Sequence, residues 1–581
     1  MSLPSIFFHV SFIEPQAHYA EITMRIKGLQ KPFIDVKMPV WAPGSYLIRE
    51  YAKNIERFQV YTSSEELIPH EKISKNTWRI YSDNSDIRIR YSVYGFENSV
   101  RTNFIDDSHA FLSPVGTFMY VDDCLDYPVQ VQIEMPDFWS KISTGLEKSI
   151  GLVNTYKAPN FDILFDSPIE IGNQDTWSFD IEGTLHECAM VGGGTYDKHR
   201  LTQDIRTIVA EENRIWGSNP NAYYLFITHN YQNSSGGLEH LNSTVLATSR
   251  FSYTQETTYK SYLSLIAHEY FHLWNVKRLR PKALGPFDYE AENYTTGLWI
   301  MEGFTSYYDN LIIRRCSFYD EKEYLQMLAV DFNTVYNRPG YEIQSAALAS
   351  HDTWIKQYRP DENSHNTSIS YYNKGAMLAA ALDLKILAET GGQQRLDDVL
   401  KRAYQKFYLI ENRGFEEHEL MELIHQTTNV DVSEIFQAAH SLEELEYNLY
   451  FNKVGYEIVD LNTGLQPLSM GIKTINNDTR IIVKNVDRDS GAWKGGINVD
   501  DEIIAANGYR VDPTGRTIDY ILTNSKEGDR VSLIVARDGL IKNLNIQLQY
   551  SNKKSLIVQR KENATAEERR LGNIWIALDQ K

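Results

Sequence analysis

Cysteine is scarce: Cys124, Cys188 and Cys316 are the only three in 581 residues, and no two have a paired spacing. That excludes a disulfide framework and a thiolate zinc site, and makes a reducing compartment, the cytoplasm, the expected location. Long hydrophobic runs are missing as well. No uninterrupted apolar stretch approaches the roughly 18 residues that a bilayer span needs, so no membrane span is expected. The opening MSLPSIFFHVSFIEP lacks a basic n-region and a small-residue cleavage site, and reads as a strand rather than a signal peptide. Positive charge is in deficit, with 58 Lys and Arg against 77 Asp and Glu, for a formal net charge of -19. Such a chain repels nucleic acid and anionic membrane surfaces but weakly attracts a substrate that carries a free amine. Fixed-period repeats and low-complexity segments are also absent.

What is present points to several domains, since 581 residues exceed what one hydrophobic core serves. The 37 Tyr, 24 Phe and 10 Trp favour a strand-rich portion. Residues 1–175 show period-two alternation in Ile22, Met24 and Ile26, in Ile87, Ile89, Tyr91 and Val93, and in Val129, Val131 and Ile133, with turns expected at Pro43-Gly44 and Asp83-Asn84-Ser85. From about residue 200 to 450 the period becomes helical, as in Tyr259–Trp274, Gly297–Arg315, Lys374–Leu387 and Glu416–His425. Short strands with glycine turns return over 465–550, and a charged tail, 551–581, follows. The expected fold is multidomain α+β: an N-terminal β-sheet domain over 1–175, a mainly helical domain over 176–455, then a small β-rich module and the tail.

The chemistry sits in Leu265-Ile266-Ala267-His268-Glu269-Tyr270-Phe271-His272-Leu273-Trp274, an HExxH pattern in a helical, apolar-rich run. Positions i and i+4 share a helix face, so His268 and His272 can aim imidazole nitrogens at one ion, at roughly 2.0–2.1 Å for zinc. Glu269 projects beside them, where it can take a proton from a water that the metal activates. The competing reading is a surface helix with two incidental histidines. The apolar neighbours argue against it, because a buried polar trio needs a partner and a metal is one. A catalytic zinc takes three protein ligands and keeps one position open. The best third ligand is Glu302, a lone acid in Leu298-Trp299-Ile300-Met301-Glu302-Gly303-Phe304; its alternative is a buried ion pair with Lys277 or Arg280. Glu290 and Glu292 read as solvated loop acids. His418 and His425 are spaced i, i+7, too far apart to share an ion, and read as part of an amphipathic surface helix.

His268-Glu269-Tyr270-Phe271-His272, Trp274-Asn275-Val276-Lys277-Arg278-Leu279-Arg280-Pro281 and Trp299 to Tyr308 together resemble the glycyl aminopeptidase family of gluzincin zinc metallopeptidases. Pro39-Val40-Trp41-Ala42-Pro43-Gly44-Ser45-Tyr46 resembles that family's N-terminal β domain. The resemblance implies a thermolysin-like catalytic domain, one zinc per chain and a preference for small N-terminal residues such as glycine or alanine. Gly236-Gly237-Leu238-Glu239 resembles the Gly-x-Met-Glu element of related aminopeptidases. It implies an edge strand along the substrate, with Glu239 holding the free α-amine. The alternative is a β-turn followed by a solvated acid. Tyr372-Asn373-Lys374-Gly375 resembles the Tyr-Glu-Lys-Gly element, which implies that Tyr372, or its neighbour Tyr371, stabilises the oxyanion. The pattern departs from the family at three points: 29 residues separate His272 from Glu302, more than is usual in gluzincins, Asn373 replaces an acid, and His240 replaces an asparagine.

Gly491-Ala492-Trp493-Lys494-Gly495-Gly496-Ile497-Asn498-Val499-Asp500-Asp501-Glu502-Ile503-Ile504, followed by Asn507-Gly508, resembles a PDZ signature, with Asp500 where glycine is usual. Ser469-Met470-Gly471-Ile472 suits a carboxylate-binding loop for a peptide C-terminus; alternatively the module binds nothing and packs on the catalytic part. Three functions are open at this level: a zinc aminopeptidase acting on peptides with a free N-terminus, a zinc endopeptidase, and a PDZ-based peptide-binding scaffold with a non-catalytic zinc site.

Overall fold

The computed structural model describes residues 5–29, 31–82, 86–465, 467–477 and 479–576. The turn expected at Asp83-Asn84-Ser85 lies outside the described residues. The chain forms two compact units. The first comprises Met1–Tyr294, Tyr308–Tyr319 and Asp397–Leu420; the second comprises Thr295–Tyr307, Asp320–Leu396 and Met421–Lys581.

In the first unit, the three alternating runs are strands of one seven-stranded sheet. Ser5–Ser11 lies at its centre, antiparallel to Tyr19–Lys27 and parallel to Val129–Glu134. Ile22 stands opposite Tyr91, Met24 opposite Ile89 and Ile26 opposite Ile87, so each run presents its apolar set to the same buried face. A four-stranded sheet next along the chain contains β1 (His109–Leu112) and β2 (Ile169–Gly172), paired antiparallel.

A five-stranded sheet follows, where helices were expected from about residue 200. Its strands are β3 (Asp175–Ile181), β4 (Thr184–Val191), β5 (Tyr223–Tyr231), β6 (Gly236–Glu239) and β7 (Ser243–Ser249), in the order β3-β4-β5-β7-β6. β4, β5 and β7 run parallel, and β6 is an antiparallel edge strand. The helical expectation failed here for a physical reason. β5 is buried on both faces, so Tyr224-Leu225-Phe226-Ile227 is a continuous apolar run without the alternation that marks a half-exposed strand. Two helices belong to this layer. α1 (Lys198–Trp216) is capped by Asp197, whose carboxylate accepts from the amides of His199 and Arg200; α2 (Glu256–Phe271) packs against it.

Helix α3 (Leu298–Arg315) is continuous, although its residues through Tyr307 belong to the second unit and those from Tyr308 to the first. In the second unit it meets α4 (Tyr371–Glu389), which Ser370 caps by accepting from the Asn373 amide. The approach is close enough to require glycine on both sides. A Cβ on Gly303 would lie 2.4 Å from the Gly375 Cα, and one on Gly375 would lie 2.4 Å from the Trp299 carbonyl oxygen.

The C-terminal module is a sheet of Ile472–Asn477, Arg480–Val486, Glu502–Ala506, Arg530–Arg537 and Leu540–Gln547 in that order, with its own apolar core. Asn507 and Gly508 both have positive φ, as a two-residue hairpin turn requires. Asp500 also has positive φ, at 68°, which explains why glycine is usual there and why an aspartate is tolerated. The stretch expected to trail as a charged tail is instead folded. Leu556–Arg560 pairs with Tyr456–Asp460, and Ala566–Ile576 is a helix that buries Leu571, Trp575 and Ile576. Its four charges are consecutive in the first turns, and Leu571 and Trp575 stand i, i+4 apart on the buried side. The Trp575 indole donates to the Tyr307 hydroxyl at 2.8 Å, which donates to Asp383 at 2.7 Å.

Gly303→Ala is expected to lower stability by about 1–3 kcal/mol, because backbone rather than a flexible side chain must give way. Urea unfolding of the two proteins measures this; an unchanged midpoint would contradict the packing described.

Candidate metal centre

α2 delivers the HExxH residues. It ends at Phe271, short of the expected Trp274, and His272 is its cap; yet His272 keeps right-handed backbone angles and its amide still bonds the His268 carbonyl at 3.3 Å. The i, i+4 relation therefore survives the end of the helix. Each imidazole is tethered through Nδ1. That of His268 lies 3.0 Å from Asp309 Oδ2, and that of His272 lies 2.7 Å from the Asn275 carbonyl oxygen. Both Nε2 atoms are thereby turned toward one point, 3.1 Å apart. Two nitrogens bound tetrahedrally to one zinc stand roughly 3.3 Å apart, given ~2.0–2.1 Å bonds. The pair fits zinc, with each tether acting as the outer partner that fixes a metal-binding histidine.

Glu269 is buried next to this pair, and β6 runs directly over it. A Cβ on Gly237 would lie 2.2 Å from Glu269 Oε1, so only glycine allows the edge strand so near the carboxylate. Glu239, at the end of β6, is 4% exposed and not the solvated acid of the alternative reading. Glu239, Glu269 and His272 each present a ligand-type atom, all within 4.8 Å of one another. Glu239 Oε1 is buried without a hydrogen-bond partner among the described residues. Against that carboxylate lies Gly44, in the expected Pro43-Gly44 turn, where a Cβ would come to 2.4 Å. The first unit thus holds two acids beside the histidine pair, one of them with an unused oxygen.

In the second unit, Glu302 is buried on α3 and its charge reaches Tyr371 and Tyr372. The two tyrosines differ. Tyr371 is fully buried and accepts from Thr353 Oγ1 at 3.0 Å, whereas Tyr372 is only half-buried. Burial, and next the Glu302 carboxylate, raise the Tyr372 phenol well above its ordinary value and keep it a hydrogen-bond donor. Of the cations considered for Glu302, Lys277 donates to Asp166 at 2.7 Å and Arg280 lies over the Phe287 ring. Glu290 takes the Lys37 ammonium at 2.6 Å. His418 and His425 are exposed on the helix Glu417–Thr428.

Two residues escaped the sequence reading. Asp309, the partner of His268, follows Glu302 by seven positions on α3 and so lies on the same helical face, about 10 Å along the axis. It is another lone acid in an apolar helix, so the argument that selected Glu302 would have found it. Glu212, on α1, is fully buried with neither oxygen partnered among the described residues. Burial, with Glu211 adding to it, raises its pKa well above the ordinary carboxylate value. No spacing in α1 signals that.

Residues 8–173 match the Peptidase M61 N-terminal domain, residues 261–378 match M61 glycyl aminopeptidase, and residues 469–548 match a PDZ domain. The chain is a metallopeptidase with M61 peptidase domains over those residues. The crystal structure of an aminopeptidase N family protein from Idiomarina loihiensis is similar to this M61 peptidase over 98% of its chain and 100% of that one, with 27% identity and a TM-score of 0.91. An M1 zinc metallopeptidase from Deinococcus radiodurans matches 76% of the M61 chain and 95% of its own, at 13% identity and a TM-score of 0.46. Native yeast LTA4 hydrolase matches 77% and 67%, at 12% identity and 0.44. No curated protein matches the sequence. Among the described residues, no helix is long and apolar enough to cross a membrane.

Gly237→Ala is expected to leave the M61 fold in place, since β6 is an edge strand, but to cut peptide hydrolysis at least tenfold by displacing Glu269. Circular dichroism and a turnover assay check this; full activity in a folded variant would refute the contact's importance.

Proposed function

We propose that this M61 peptidase is a zinc aminopeptidase that removes small N-terminal residues, glycine or alanine, from peptides. The observation that carries the reading is the Nε2 pair 3.1 Å apart, with Glu269 and Glu239 beside it. His268, His272 and Glu302 are the residues that would hold one zinc ion per chain. The support for Glu302 is its place on the same face of α3 as Asp309, the residue that orients His268. Zinc, when bound in such a site, polarises the scissile carbonyl and makes a water acidic.

The protein's own residues do the rest. Glu269 accepts a proton from the attacking water and hands it to the leaving amine. The half-buried Tyr372 donates its hydroxyl hydrogen to the oxyanion as negative charge develops there; losing such a donor typically raises the barrier by about 3–4 kcal/mol. Tyr371 is fully buried whereas Tyr372 is half-exposed, which favours Tyr372 for the role. Glu239, with a buried oxygen left unused, receives the substrate's α-ammonium. With the Gly44 turn against its carboxylate, an α-ammonium held there fixes the end of the substrate, so cleavage falls at the first peptide bond. Gly236 and Gly237 open the edge of β6 for the substrate backbone to add as a strand. Three free cysteines support a cytoplasmic location.

Glu269→Gln should retain zinc, measured by elemental analysis, and lose nearly all hydrolysis of a Gly- or Ala-initiated peptide. N-acetylation of that peptide should abolish cleavage by the wild type. Rapid cleavage of the acetylated form would make the chain an endopeptidase, and no chelator-sensitive cleavage at all would leave only a peptide-binding scaffold. A second ligand class follows from the C-terminal module. Ile472–Asn477 is an edge strand next to the Ser469–Ile472 loop, and there a peptide C-terminus can add. Fluorescence anisotropy of the full chain should detect peptides ending in a free carboxylate but not their amides; equal binding of both would count against it.

A further inference from the structure

We propose that His109, Glu170 and His229 form a second divalent-metal site, suited to zinc, in the wall of a polar cleft of the first unit. The three come from β1, β2 and β5, and their ligand atoms all lie within 4.8 Å of one another. His109 Nδ1 is 2.8 Å from Glu170 Oε1, and His229 Nε2 is 2.8 Å from Glu170 Oε2. None of these residues is part of the HExxH centre.

Three features favour an ion over a plain hydrogen-bonded trio. Glu170 is completely buried, and among the described residues its carboxylate has no lysine or arginine, only the two imidazoles. Two imidazoles and a buried carboxylate converging on one point are the donor set that a divalent cation is chemically matched to bind. The rings are fixed on their flanks rather than free to swing. His109 stacks on Phe104 at 5.1 Å between centroids, and His229 meets the edge of Phe111 at 4.8 Å. Gly172, opposite His109 in the strand pair, has room for no side chain, since its Cβ would lie 2.9 Å from the His109 Cβ. Finally, the site has an entry. His109 and His229 line a cleft of about 480 Å³ whose walls include Asp106, Gln174, Asp175 and Asn230. Three protein ligands and a solvent-facing position make an open coordination sphere. Entry of zinc needs the 2.8 Å gaps to widen by about 0.5 Å, toward the ~3.3 Å separation of tetrahedral ligands.

The ion would join two sheets, since β1 and β2 belong to the four-stranded sheet and β5 to the five-stranded one. It is a brace between the N-terminal β region and the layer that carries β6. The proposal does not depend on the aminopeptidase reading.

The test counts zinc in the full chain after chelator treatment and equilibrium dialysis. Wild type should bind two equivalents. A His268→Ala/His272→Ala variant, which lacks the HExxH pair, should keep one, and zinc should raise its melting temperature. Adding Glu170→Gln to that background should weaken the remaining binding at least tenfold. If that triple variant does not fold, His109→Ala, at the cleft wall, should give the same loss. A folded His268→Ala/His272→Ala variant that binds no zinc would overturn the site. So would binding there that Glu170→Gln or His109→Ala leaves unchanged. A failed catalytic reading is distinguishable, because it would show in the peptide assay while the zinc count in the histidine-less background stood.

Discussion

The arrangement depends on two hydrogen bonds that do not touch substrate: Nδ1 of His268 to Asp309 and Nδ1 of His272 to the Asn275 carbonyl. An imidazole has two nitrogens, and which one faces a ligand is settled by what the other holds. Without those tethers, a pair of rings at a helix end would rotate independently. With them, two lone pairs converge 3.1 Å apart with no rearrangement left for the moment of binding. The local backbone serves the same end. α2 stops at Phe271, and the chain turns so that the Asn275 carbonyl comes back under His272, which a continued helix could not do.

Glycine plays the complementary part, admitting backbone where side chains would intrude. Gly237 lets β6 run against Glu269, Gly44 lets a loop of the N-terminal β region sit on Glu239, and Gly303 with Gly375 lets α3 and α4 meet. In each case the gain is proximity to a carboxylate or to the helix that bears one. These contacts link segments far apart in sequence, so the acidic groups are positioned by the whole fold and not by the helix that carries the HExxH pattern.

The parts of the protein legible in the sequence were those with a local period or motif. Ile22, Met24 and Ile26 announced a half-buried strand, HExxH announced a pair on one helical face, and Asn507-Gly508 announced its turn. β5 was illegible because a strand covered on both sides loses its alternation, and 551–581 misled because its charges concealed a helical stripe of Leu571 and Trp575. Glu212 was out of reach for another reason. An acid one position from Glu211, in a helix rich in charge, has nothing local to say that it is sealed from water. Asp309 carries the same local signal as Glu302, a lone acid in an apolar helix, but it supports a ligand and is not one.

The bond from Trp575 to Tyr307, and on to Asp383, has a consequence for biosynthesis. Both acceptors leave the ribosome about two hundred residues or more before the indole that completes the chain of donors. Until then Tyr307 and Asp383 hold each other, with Arg395 and the Leu396 amide also on the carboxylate, but the apolar face that Trp575 covers stays open, so the second unit reaches its final packing only when this helix docks. A nascent chain in that interval presents an unfinished core, and is the form most open to proteases and to association with other chains.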